Sequence, residues 1–227
     1  LDSETDMKQG IDNLTFYDAV RFGLVKGHTS ISIQGMSEEL SINSQNLVDI
    51  HQCTFEYLAT AATVEFASTS ADDTAAGTGA RTMRVLGLDE DYLEIREDVT
   101  LNGTTPVETS GLFLRINSIV LLTAGTGETN AGNITCAPNT ATWTDGVPDA
   151  ALNAMSIGQS QTRSGLYTSP ANFVSVVTHI NHSVGDIDEI ECQIETRPFG
   201  SSVWYRDLDI YAARGVGGFS DTRAARR

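Results

Sequence analysis

Residues 92–101, YLEIREDVTL, alternate with a period of two. Leu93, Ile95, Val99 and Leu101 share one phase, and Glu94, Arg96, Asp98 and Thr100 share the other. Successive side chains of a strand point to opposite faces, so this pattern describes a strand buried on one side only. Asn102-Gly103 closes it, a dipeptide suited to a two-residue hairpin because both central residues take positive φ. Upstream, a polar loop bearing Gly77 and Gly79 leads into a predicted strand at 82–86, and Asp89-Glu90-Asp91 makes an acidic turn. A chain organised this way builds a sheet with one wet face.

The rest of the chain from His51 repeats the theme of strand, turn, strand. Strands are predicted at 53–58, 63–67, 82–86, 92–101, 112–122, 132–136, 151–157, 164–167, 173–180, 187–196 and 203–212. Turn signals between them include Asp145-Gly146-Val147-Pro148, Ser169-Pro170 and Gly185-Asp186. The last two strands should form a hairpin about Pro198-Phe199-Gly200. Short strands spaced roughly 8–12 residues apart indicate an all-β sandwich or barrel. Before them, residues 11–27 carry Leu14, Phe16, Ala19, Val20 and Phe22, and either β structure or a short helix capped by Asp12 or Asn13 satisfies the pattern. Thr29 to Ile33 alternate as a short strand would. Residues 1–50 therefore read as an extended arm with short strands, although a first hairpin of the main domain would look the same. Residues 51–214 form the expected β-sandwich domain, and 215–227 a basic tail.

Composition narrows the function classes. The formal net charge of the 227-residue chain is −16, so it lacks the basic footprint that phosphate neutralisation needs, and no nucleic-acid partner is expected. Only the C-terminus is locally basic, and Arg223, Arg226 and Arg227 are candidate docking residues there. No apolar run approaches the roughly 18 residues of a membrane span. The three cysteines, Cys53, Cys136 and Cys192, are widely spaced without a CxxC, against both a disulfide framework and a zinc site. Cys192 lies in the apolar phase of its predicted strand and reads as a small buried hydrophobe.

Motifs that could carry chemistry fall short of it. His179 and His182 would point to opposite faces of a strand, so a shared metal would need a bend at Asn181. Asp72-Asp73 and Asp89–Asp91 match no calcium loop; Asp72-Asp73 suit a turn stabilised by side-chain-to-backbone bonds. Gly77-Thr78-Gly79 and Gly125-Thr126-Gly127 resemble phosphate loops but have no following Lys-Ser/Thr and no helix. No serine has a nucleophile context. Arg115 interrupts an apolar run and should pair with a carboxylate, with Glu97 a candidate. Trp143, in a Thr-rich loop, is the aromatic most expected to be exposed, and the candidate for contact with a ligand or partner. No catalytic, cofactor-binding or metal residue is assigned, so the chain is not expected to be an enzyme.

The segment STSADDTAAGTGARTMRVLGLDEDYLEIREDVTLNGTTPV (residues 68–107) resembles a recurrent segment of virion structural proteins of tailed bacteriophages, especially marine ones, and of some large algal viruses. The similarity continues through LFLRINSIVLLTAGTGETNAGNIT and SIGQSQTRSGLYTSP, about the middle half of the chain. It implies a particle component, assembled in the host cytoplasm and located in the virion. The fold would then be a jelly-roll-like sandwich, an analogy with capsid proteins. Expected partners are further copies of the chain, a homotrimer by the same analogy, and the major capsid or other virion proteins. A capsid decoration or cement protein is the first expectation. A tail, fiber or spike module binding a host glycan is the alternative, and a glycan-active enzyme a third class.

Overall fold

The computed structural model describes residues 15–35, 54–177 and 189–213. The candidate tail residues Arg223, Arg226 and Arg227 lie outside these, as do His179, His182 and Cys53. The chain divides into two compact units. The first takes in its residues up to Glu90 together with Glu94–Thr168; the second takes in Asp91–Leu93 and the residues from Ser169 onward.

The first unit is an antiparallel β-sandwich. In chain order its strands are β1 (Thr54–Phe55), β2 (Val64–Ser68), β3 (Ala80–Leu88), β4 (Glu94–Thr100), β5 (Val107–Glu108), β6 (Arg115–Ala124), β7 (Ile134–Pro138), β8 (Trp143–Thr144), β9 (Val147–Pro148), β10 (Ala150–Ala151) and β11 (Asn153–Met155). One sheet has the order β11-β7-β2-β5 and the other β4-β3-β6, with every neighbour antiparallel. Their inward residues meet in one core. Val64 and Phe66 of β2, Ile134 and Cys136 of β7 and Met155 of β11 face Met83 and Val85 of β3, Val99 of β4, and Ile116 and Ile119 of β6. Each large side chain so buried contributes about 1.5–3 kcal/mol, which is what holds two half-wet sheets together. The period-two reading of β4 is met within the strand: Ile95 is half-buried and Val99 buried, as is Leu101 just after it, while Glu94, Arg96, Asp98 and Thr100 are exposed; Leu93, expected on the same apolar face, lies before the strand and is exposed. A jelly-roll winding uses eight strands in two sheets; the sheets described here have four and three.

Several local expectations are corrected. Asn102-Gly103 does not make a two-residue hairpin: Gly103 alone takes positive φ (62°), and the chain crosses there from one sheet to the other. The hairpin with two left-handed central residues is Asp145-Gly146 (φ 49° and 79°), joining β8 to β9. Arg115 and Glu97 are not neighbours, because β3 lies between β4 and β6. Glu97 instead accepts from the amides of Ser110 and Gly111, both at 2.8 Å. Arg115 donates to the carbonyls of Leu58 (2.8 Å) and Leu114 (2.6 Å) and sits over the Tyr57 ring. Residues 164–167 and 173–177 form no regular strand. Instead, residues 160–162 run along the outer edge of β6, where Leu121 donates to Ser160 and Thr162 to Ile119. That covers an edge that would otherwise present unpaired backbone groups.

Before the sandwich, the short helix α1 (Phe16–Arg21) is capped by Thr15 rather than by Asp12 or Asn13. The Thr15 hydroxyl accepts from the Asp18 amide and donates to the Asp18 carboxylate, an N-cap closed within one turn. Thr29 to Ile33 form no regular strand. A single bridge pairs Gly35 with Ser164. The second unit contributes the hairpin β12 (Glu189–Thr196) and β13 (Tyr205–Ala213), paired antiparallel about the expected turn at Pro198-Phe199-Gly200.

Candidate interaction surface

The glycine-bearing loops at 77–79 and 125–127 are engaged within the sandwich. Asp73 is fully buried, and its two carboxylate oxygens accept four hydrogen bonds. The amides of Ala80 (2.6 Å) and Ala131 (2.8 Å) reach Oδ1; the Gly132 amide (2.9 Å) and the Ser68 hydroxyl (2.5 Å) reach Oδ2. Its own carbonyl accepts the Gly103 amide at 2.8 Å. One residue thus ties the end of β2, the start of β3 and the β6–β7 loop through its side chain, and the crossover after β4 through its carbonyl. The two Gly-Thr-Gly loops bond to each other, Gly125 donating to Gly79 and Gly127 to Thr78. Amides engaged this way are not a phosphate cradle. The sequence expectation that Asp72-Asp73 stabilise a turn holds for Asp73, but its burial was not legible from two adjacent acids.

Trp143 stands on β8, half-buried, and its indole N–H donates to Glu65 Oε2 at 2.6 Å. Glu65 lies directly opposite Glu108 in the β2–β5 pair. Like charges across a ladder repel, and each carboxylate here has a donor: Trp143 for Glu65, and the Thr63 hydroxyl for Glu108. Asn139 donates in turn to Thr63 at 2.8 Å. The ring is therefore anchored through its polar edge, with part of its surface left to solvent.

Exposed apolar side chains concentrate in two places. One is the segment around α1, with Phe16, Tyr17, Phe22, Leu24, Ile31 and Ile33. The other is the second unit, with Phe173, Val174, Val176 and Phe199 and, after the turn, Val203, Trp204 and Tyr205. Trp204 lies under the Arg197 guanidinium, 5.0 Å from the ring centroid. Surface hydrophobics scattered singly are ordinary, but contiguous runs of them mark contact surfaces. The second unit also holds a cleft of about 330 Å³ between the Asp91-Tyr92 turn, residues 169–173 and Phe199. Sequence reading placed Phe199 in a turn and singled out neither Tyr92 nor Phe173, each of which only opened a predicted strand.

Among the described residues, no group of three His, Cys, Asp or Glu side chains is arranged to hold a metal ion, and no helix is long and apolar enough to cross a membrane. A scan against protein-family models, a search of curated proteins and a search of solved structures each found no match to this chain.

Proposed function

We propose that the chain is a non-enzymatic structural component of a virion, a capsid decoration or cement protein. The observation that carries this reading is the set of exposed apolar side chains outside the sandwich core. The sandwich is complete as a core. The segment around α1 and the second unit instead display Phe, Leu, Ile, Val and Trp side chains to solvent. Such surface is stabilised by burial against neighbouring subunits, and a standard interface buries roughly 1,600 Å². The resemblance of residues 68–107 to particle proteins supports the same reading, as does the absence of a basic footprint on a chain of net charge −16. In this proposal the partners are other copies of the chain, as a trimer, and the major capsid protein. A jelly-roll ancestry of the sandwich belongs to the same proposal.

The test is quantitative mass spectrometry of gradient-purified particles, before and after mild chaotrope stripping. Hundreds of copies per particle, released while the shell survives, are expected for decoration; a shell that falls apart on release identifies a cement. Copy numbers in single digits to tens would move the chain to the tail or fiber apparatus, and absence from particles would overturn the reading. Trp143→Ala separates the first two classes: lost occupancy supports the structural role, lost host attachment on intact particles the recognition role.

A further inference from the structure

We propose that the cleft of the second unit is a binding site for a neutral sugar, with Tyr92, Phe173 and Phe199 as its apolar walls and Ser169, Asp91 and Asn172 as its polar rim. The inference stands apart from the particle role, since a decoration protein and a fiber module could both carry such a site. Its volume, about 330 Å³, falls at the small end of the roughly 300–1,000 Å³ of ligand clefts. The chemistry of the lining is mixed in a particular way. Three rings offer C–H-compatible apolar surface, and a carboxylate, an amide and a hydroxyl surround them. A pyranose has the matching character, an apolar C–H face and a rim of hydroxyls that both donate and accept. An acidic glycan would meet a carboxylate on a chain of net charge −16.

The cleft is also preorganised. Tyr92 (φ 59°) and Asn172 (φ 67°) both hold left-handed backbone, which is ordinary for asparagine and an outlier for a bulky residue such as tyrosine. Strain of this kind persists where surrounding bonds over-determine it, and it clusters at ligand sites. Here the Ala171 amide donates to the Tyr92 carbonyl at 2.8 Å, and the Phe173 amide to the Pro170 carbonyl at 3.2 Å, fixing the two lips. The Ser169 hydroxyl donates to Ser175 at 2.5 Å. Phe199 is 83% exposed on the tip of the hairpin, yet its ring is set edge-to-face against Tyr92 at 4.8 Å. A rigid turn holds it there, with Ser201 donating to the Pro198 carbonyl at 3.0 Å. A nearly fully wet aromatic ring in a fixed position is a platform awaiting an apolar face.

The full chain would be titrated with neutral oligosaccharides of glucose, galactose, mannose and N-acetylglucosamine, with sialyllactose as the acidic control, by saturation-transfer NMR. Saturable binding of at least one neutral class and none of sialyllactose is expected. Phe199→Ala should weaken it about tenfold or more, the loss of roughly 1.4 kcal/mol. Asn172→Gly, which keeps the left-handed backbone and removes the amide, should weaken it as well. Both side chains sit at the surface, so thermal midpoint and light-scattering mass should match the parent, which separates lost binding from unfolding or altered assembly. The proposal fails if no neutral sugar saturates at tens of millimolar, if binding survives both substitutions, or if sialyllactose binds equally well. Failure on any of these counts leaves the copy-number test of the virion role untouched.

Discussion

At the scale of single residues, Asp73 concentrates more of the fold than any other polar group described. Its four donors come from segments far apart in sequence, Ser68, Ala80, Ala131 and Gly132. Asp73→Ala would leave those donors buried without acceptors, and each costs about 1–3 kcal/mol. We expect at least ~3 kcal/mol of destabilisation by urea unfolding. Gly79 belongs to the same device, because a Cβ there would lie 2.1 Å from Asp73 Oδ1. Gly79→Ala should be costly alone and cost less when Asp73 is already alanine, the remaining cost coming from Ala131, whose Cβ would lie 2.9 Å from the new methyl; fully additive losses would show that the two positions act separately. Asp98 makes a different, surface contribution. The Arg84 guanidinium donates to it twice, at 2.7 and 2.8 Å, and holds its carboxyl below the usual carboxylate range against a smaller opposing effect of desolvation. A folded pKa below the unfolded value of about 3.9 means stability that is present above that pH and lost as pH falls through the folded value. Comparing acid unfolding of the parent with Asp98→Asn should show a small gap at neutral pH that closes in strong acid. A gap unchanged at both ends would refute the assignment. Both side chains face solvent, so the effect should also shrink with added salt.

At the scale of elements, what was legible followed strand period, and what was not followed from a break in it. β4 reads directly, since one face is wet and the other buried. β6 does not, because both Ile116 and Ile119 are buried, three residues apart. A bulge resolves this: Ile116 faces Gly87 and Ser118 faces Leu86, leaving Asn117 unpaired in the ladder. Its side-chain amide then pairs with the Thr168 backbone, donating to the carbonyl at 2.9 Å and accepting from the amide at 2.8 Å. No residue type in the sequence announces a bulge, so its register was hidden. Turns were half legible. Asn102-Gly103 and Asp145-Gly146 both carry the hairpin dipeptide, and only tertiary contact decides which one acts as a hairpin. At Gly146 the choice is enforced twice, by φ of 79° and by a Cβ that would lie 1.9 Å from the Ser68 carbonyl oxygen. Gly146→Ala should therefore destabilise by more than the ~1 kcal/mol of a left-handed penalty alone, whereas Gly200→Ala, with φ of 75° and open space around it, should cost only that penalty. Equal losses at the two glycines would remove the packing argument. The cleft residues were illegible for a related reason: Tyr92 leaves its strand through a left-handed backbone that alternation cannot encode.

At the scale of the whole molecule, the sandwich core is fully apolar at its centre. The core can be followed by one thiol. Cys136 is fully buried between the sheets, and burial pushes its thiol well above the ordinary range. The folded chain keeps that proton where the unfolded chain gives it up. Stability should therefore decline as pH rises above the usual thiol value of about 8.5, and Cys136→Ser should flatten that decline. Alkylation mapped by peptide mass should find Cys136 modified only at the rate of global unfolding; fast labelling in the native state would contradict its placement. The crossover at Gly103 has a consequence of another kind. An asparagine followed by glycine is the bond in a polypeptide most prone to spontaneous deamidation, which begins when the glycine nitrogen attacks the asparagine side chain. Here that nitrogen belongs to a buried residue and donates to the Asp73 carbonyl at 2.8 Å, a hydrogen bond that the attack would have to break. The sandwich thus shields its own weakest chemical link, so its shelf life is set by how often it opens rather than by the intrinsic clock of its sequence.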